Sequence, residues 1–83
     1  MRKFLKSDLD CISGVAVLSS LKRLGFVEVG KEGNHVLLTK WTSQKEVRCV
    51  VPLHPKLASK TLRCIIELQA KVSWQEFRER LEA

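Results

Sequence analysis

The chain has 83 residues, 45% of them hydrophobic, and a formal net charge of +6. That length holds one domain with a small but sufficient core, and the apolar fraction excludes a disordered chain. The charge is uneven: residues 1–63 carry twelve Lys and Arg against five Asp and Glu, and residues 64–83 three against four, so a positive field over the first three quarters favours a polyphosphate or an acidic protein as partner, with solubility alone as the bland counterpart.

Residues 1–12 read as an irregular or weakly helical N-terminal arm, and residues 13–83 as the domain. Met1-Arg2-Lys3-Phe4-Leu5-Lys6 has the charge of a signal-peptide head, but Ser7-Asp8-Leu9-Asp10 follows where an apolar core would stand, so no export is expected. No apolar run is long enough to span a bilayer, so no membrane partner is expected. Ser13 is placed to cap a helix in which Val17, Leu18, Leu21 and Leu24 recur at helical spacing and which Gly25 ends. Phe26 to Val29 reads as a strand and Gly30-Lys31-Glu32-Gly33 as a turn. His35 to Trp41 reads as a second strand, Thr42-Ser43-Gln44 as a polar turn, and Lys45 to Val51 as a third strand with Val47, Cys49 and Val51 on one face. Pro52, which has no N–H for a ladder, is expected to stop it. Leu53 to Leu57 is a loop. Ser59 is placed to cap a second helix with Leu62, Ile65, Ile66 and Leu68 as its apolar side, and Ser73 with Glu76 has the spacing of a capping box opening a short third helix.

The expected fold is α+β, in the order α-β-β-β-α-α: a three-stranded antiparallel sheet with helices on one face. Leu18, Leu21, Val47, Leu62, Ile65 and Ile66 are expected to be buried. Three cysteines, Cys11, Cys49 and Cys64, are odd in number and contain no CxxC pair, so neither a zinc site nor a disulfide framework is expected. Cys49 and Cys64 read as small buried residues, and free thiols point to a reducing cytoplasm.

No GxSxG elbow, P-loop or dinucleotide fingerprint is present, and the two histidines, His35 and His54, lack the clustered carboxylates of a metal set. Neither a metal nor a cofactor is expected. What remains is acid–base chemistry on a polyanion. Gly33-Asn34-His35 places an imidazole at a turn, and histidine exchanges protons both ways near neutral pH, its unperturbed pKa being about 6.5. RNA suits such a residue, because it carries its own nucleophile, the 2′-OH, and needs only proton removal, alignment and charge stabilisation. Lys31, Lys56, Lys60 and Arg63 are the candidates for that stabilisation, and the start of the second helix would favour a phosphate. The alternative readings are a turn histidine with no role on a solvated basic face, and for His54 a residue that fixes its loop.

Ser13-Gly14, a leucine-patterned helix ending Leu24-Gly25-Phe26, Gly33-Asn34-His35, Val51-Pro52 with His54, Thr61-Leu62-Arg63 with Ile65, and Ser73 with Glu76-Phe77 form an ordered set. In this it resembles the HicA (YcfA-like) mRNA interferase toxins of type II toxin–antitoxin systems, over roughly residues 13–80. The resemblance implies a double-stranded-RNA-binding-domain-like fold, endoribonuclease activity on mRNA in a stress response, and a HicB-type antitoxin that covers the active site. The catalytic histidine of the family lies in a Gly-Ser-His triplet and maps onto His35, with Gly33 and Asn34 as its neighbours at the phosphate. Asn34 stands where the family usually has serine, and Lys60 where it often has glycine. Two other functions remain open on this reading: a non-catalytic RNA-binding module of the same fold, and a basic protein-interaction domain.

Overall fold

The computed structural model describes residues 12–82. Helix α1 spans Gly14–Arg23, and Ser13 caps it as its position predicts: its Oγ accepts the Ala16 amide at 3.1 Å. At the other end Gly25 takes φ 103°, and the amides of Gly25 and Phe26 donate back to the carbonyls of Lys22 and Leu21 at 3.1 and 3.0 Å. This double closure requires a left-handed residue just past the helix, a conformation that carries no steric penalty for glycine. It turns Phe26 into the core beside Leu21.

Three strands follow: β1 over Val27–Glu32, β2 over His35–Trp41 and β3 over Glu46–Pro52. They form an antiparallel meander in the order β1-β2-β3. β1 departs from the sequence expectation, because it runs on through Gly30, Lys31 and Glu32, the residues read as a turn. Val29 is the reason. Glu28 pairs with Leu38 and Gly30 with Leu37, so Val29 is an extra residue, and the bulge lets the strand continue while twisting a free edge. The connection shrinks to Gly33-Asn34. Gly33 has φ 60°, the positive value that a two-residue hairpin turn places at its first central residue.

Pro52 does not lie beyond β3; it is the last residue of the strand and pairs with His35. The Val50 amide donates outward to Gln69 Oε1 at 2.8 Å. Pro52, two residues on, therefore has its missing N–H on the outer edge, where no ladder bond is needed.

The sheet buries Val36, Leu38, Cys49 and Val51 on one face against Val17 and Leu21 of α1 and against the second helical segment. That segment begins as α2, Ser59–Arg63, and continues as a π-helical stretch, Cys64–Ala70. Ala58, not Ser59, occupies the cap position, and no side chain caps it; Ser59 is the first helical residue. The wider winding carries Ala70 under Ile65 and into the core. It also swings Leu68 to the far side, 70% exposed, which overturns its place on the apolar side. Cys64 is exposed too, contrary to expectation, whereas Cys49 is buried as expected. Leu21, Leu62, Ile65 and Ile66 are buried, and Leu18 and Val47 pack half-buried against them.

Helix α3, Trp74–Glu82, opens on one half of the expected capping box: Ser73 Oγ accepts the Glu76 amide, and it donates to the Glu76 carboxylate, each at 3.1 Å. It packs on α1 and not on the sheet. Ser20 Oγ donates to the Phe77 carbonyl at 2.8 Å, Arg23 donates to the Arg80 carbonyl at 2.6 Å, and Phe77 is wholly buried. Ile12, read as part of the arm, belongs to this core: it is buried, and its carbonyl accepts the Leu57 amide at 2.9 Å. The rest of the arm, with Cys11, lies outside the described residues.

Candidate functional site

One end of the molecule gathers three chain segments. The Gly33-Asn34 turn meets the end of β3, where the Leu53 amide donates to the Asn34 carbonyl at 2.6 Å. The loop after β3 meets the start of α1, where the Gly14 amide donates to the His54 carbonyl at 2.9 Å. Gly14 is so close to the Pro52 carbonyl and to Leu53 Cα that a Cβ there has no room. This tight approach ties α1, the hairpin turn and the loop into one rigid end, and His35 is the first residue of β2 beside it.

His35 is exposed and lies between Glu32 and Pro52 in the sheet register, and its imidazole has no hydrogen bond or ion pair among the described residues. Its position in the strand alternation is that of Leu37, Thr39 and Trp41, so it belongs to the sheet face that carries no helix. Lys31 pairs with Val36 and so has the opposite alternation. Gly33 and Asn34 form the turn itself. Lys56 lies in the loop after β3, and Lys60 in the first turn of α2, both exposed. Arg63 lies farther along α2 and is engaged elsewhere: its Nε is 3.8 Å from Glu67, whose carboxylate also accepts the Trp74 indole N–H at 2.6 Å. His54 is exposed, and it is its backbone carbonyl that binds Gly14, so the loop is tied down through the main chain of His54. Among the described residues no three His, Cys, Asp or Glu side chains come together as a metal set.

The helix-free face holds a second group that the sequence reading missed. Thr39, at its centre, is buried and donates to Glu46 at 2.6 Å; Arg48 lies 3.1 Å from the same carboxylate. The Thr39 hydrogen bond, followed by Arg48, holds the Glu46 carboxyl below its ordinary value. Around this pair the face is apolar and open. Val27 is 60% and Trp41 73% exposed, and Leu37 and Val50, nearer His35, are partly exposed. The alternation His35, Leu37, Thr39, Trp41 was legible in the sequence, but which of the two faces the helices cover was not.

A three-stranded antiparallel sheet with helices on one face and an open face on the other defines a class of small α+β domains. Within that class the match is specific: the profile of the family described as "HicA toxin of bacterial toxin-antitoxin" aligns with residues 16–72, well over half of the chain. The chain belongs to the HicA toxin family, and its fold is the double-stranded-RNA-binding-domain-like fold of that family. It is thus a toxin of the toxin–antitoxin type, for which the family implies an antitoxin partner. No individually curated protein matches the chain. No helix among the described residues is long and apolar enough to cross a membrane.

Proposed function

We propose that the protein is an mRNA-cleaving endoribonuclease in which His35 is the general acid–base group, and that a HicB-type antitoxin neutralises it in the cytoplasm. The observation that carries this reading is the position of His35: an exposed imidazole without a partner among the described residues, at the start of β2, in a chain of the HicA toxin family. In the proposed reaction His35 takes the proton of a ribose 2′-OH as that oxygen attacks the adjacent phosphorus. The bond from phosphorus to the 5′-oxygen breaks, and the leaving oxygen takes up a proton from solvent water. Lys56 and Lys60 supply positive charge for the phosphorane oxygens, Gly33 and Asn34 let the backbone approach a phosphate, Arg63 joins them once released from Glu67, and Lys31, of opposite alternation to His35, has no part in the step. No metal enters this scheme.

The test is cleavage of single-stranded RNA by the purified chain in the presence of EDTA. Cleavage is expected for the parent and is expected to vanish for His35→Ala, with an unchanged melting temperature because the side chain contributes nothing to the core. Cleavage that requires added magnesium, or that survives the substitution, overturns the mechanism. RNA binding without cleavage by the parent assigns the protein to the non-catalytic RNA-binding modules, and salt-insensitive behaviour towards RNA to the protein-interaction domains.

A further inference from the structure

We infer that the helix-free sheet face is a track for single-stranded RNA, running along β2 from His35 to a distal subsite formed by Trp41, Arg48, Lys45 and Lys71. The inference rests on the ribonuclease reading above and extends it to a region that the reading does not use.

Three observations converge there. His35 and Trp41 share one face of β2 and lie six residues apart, about 20 Å at the usual strand rise. Trp41 is 73% exposed, and an exposed indole at the end of a sheet offers a face on which a base can stack. Arg48 pairs across from Thr39, which makes it the diagonal neighbour of Trp41 on the same face.

A concentration of positive charge adds to these. Lys45, from the β2–β3 turn, and Lys71, just past the π-helical stretch, line one groove of about 290 Å³ with Arg48 and Gln69. Lys71 is held there in a left-handed conformation, φ 57°, which is uncommon for a residue with a Cβ. Its amine lies beside that of Lys45, and a hydrogen bond that only a neutral Lys71 can accept from Lys45, followed by charge repulsion, holds Lys71 below the ordinary lysine range. Glu46 is the one carboxylate in the groove lining, and it is already engaged by Thr39 and Arg48. A phosphate between the two lysines relieves their repulsion.

Trp41 at the end of an exposed strip that begins at His35, with Arg48 diagonal to it and the groove of Lys45 and Lys71 beyond Arg48 at the β3 edge, suits a nucleic-acid strand with its bases on the sheet and its phosphates at the rim. A docked protein would use the same apolar strip but has no need of paired ammonium groups, unless its surface there is acidic.

The experiment measures binding of a fluorescein-labelled single-stranded RNA of about 12 nucleotides, within the range of single-strand site sizes, to the His35→Ala protein, which holds the RNA without cutting it. Adding Trp41→Ala is expected to weaken binding about tenfold, and Trp41→Phe to restore most of it. Adding Lys45→Ala with Lys71→Ala is expected to weaken binding and to lower the slope of log affinity against log salt by roughly 1.4, the single-strand value for two lost phosphate contacts. With His35 present, cleavage of a dinucleotide, too short to reach Trp41, is expected to ignore all three changes. Circular dichroism checks that the variants are folded, as the exposure of these side chains requires.

If His35→Ala binds RNA and the distal changes leave both affinity and salt slope untouched, the subsite is overturned while the ribonuclease reading stands. If the parent neither binds nor cleaves RNA, both fall. If Trp41→Ala spares RNA but loosens the complex with the antitoxin, the face belongs to protein docking and the RNA track is overturned.

Discussion

At the scale of single residues, chemistry is set by what surrounds each group. Cys49 is buried against the helices, and burial pushes its thiol up to about 11. The thiol is neutral in the fold at every pH below that, whereas in the unfolded chain it ionises near 9. Its contribution to stability is therefore complete below pH 9 and is lost as pH rises from about 9 to 11, an effect of about 2–3 kcal/mol. Melting temperatures of the parent and of Cys49→Ala, followed across that window, are expected to converge as pH rises; parallel curves would refute it. Gly14 makes the converse point. Alanine is the better helix former, yet a Cβ at Gly14 meets the Pro52 carbonyl and comes within 2.9 Å of Leu53 Cα, both of them backbone. Gly14→Ala is expected to destabilise by about 1–3 kcal/mol in urea unfolding, while Gly30→Ala, with nothing within 4 Å, is expected to be close to neutral.

At the scale of elements, what holds each segment is its neighbour more than its own propensity. α3 is nine residues long and polar on average, and short helices do not stand alone in water. It stays because Phe77 is wholly buried and because Ser20 and Arg23 of α1 donate to its carbonyls. Phe77→Ala is expected to cost about 3–5 kcal/mol and to release α3 first, read as lost amide protection over residues 74–82 before the sheet exchanges. Equal loss across the sheet would show that α3 is not a separate unit. The π-helical stretch is explained the same way. Its winding places Ala70 in the core and turns Gln69 to the β3 edge, where its carboxamide closes the Val50 amide and guards that edge against pairing with another chain.

At the scale of the whole molecule, the positive charge is distributed over two regions. Lys56 lies in the loop after β3 and Lys60 in the first turn of α2, whereas Lys45, Arg48 and Lys71 line one groove at the β3 edge. Lys60→Ala combined with Arg63→Ala is expected to weaken binding to all RNA sequences about equally and to flatten the salt dependence, because phosphates carry no sequence information. Unchanged filter-binding affinity in that variant would remove the start of α2 from the RNA path.

Local interactions made much of this protein legible before any coordinates. Ser13 and Gly25 bracket α1, Ser73 and Glu76 open α3, β-branched and apolar content marks β2, and alternation marks β3, because caps, turns and strand patterns depend on residues only a few positions apart. The ordered motifs around His35 identified the family for the same reason. What only the tertiary structure decided depends on groups distant in the chain. The bulge at Val29 reflects the register imposed by β2. The exposure of Leu68 and Cys64 follows from a helix wound to fit the sheet beneath it. Pro52 is tolerated inside β3 because that strand is an edge. Above all, which face of the sheet the helices cover is a packing choice, made where α1 and the second helical segment bury their apolar sides together, and it alone leaves His35 and Trp41 on the same open surface.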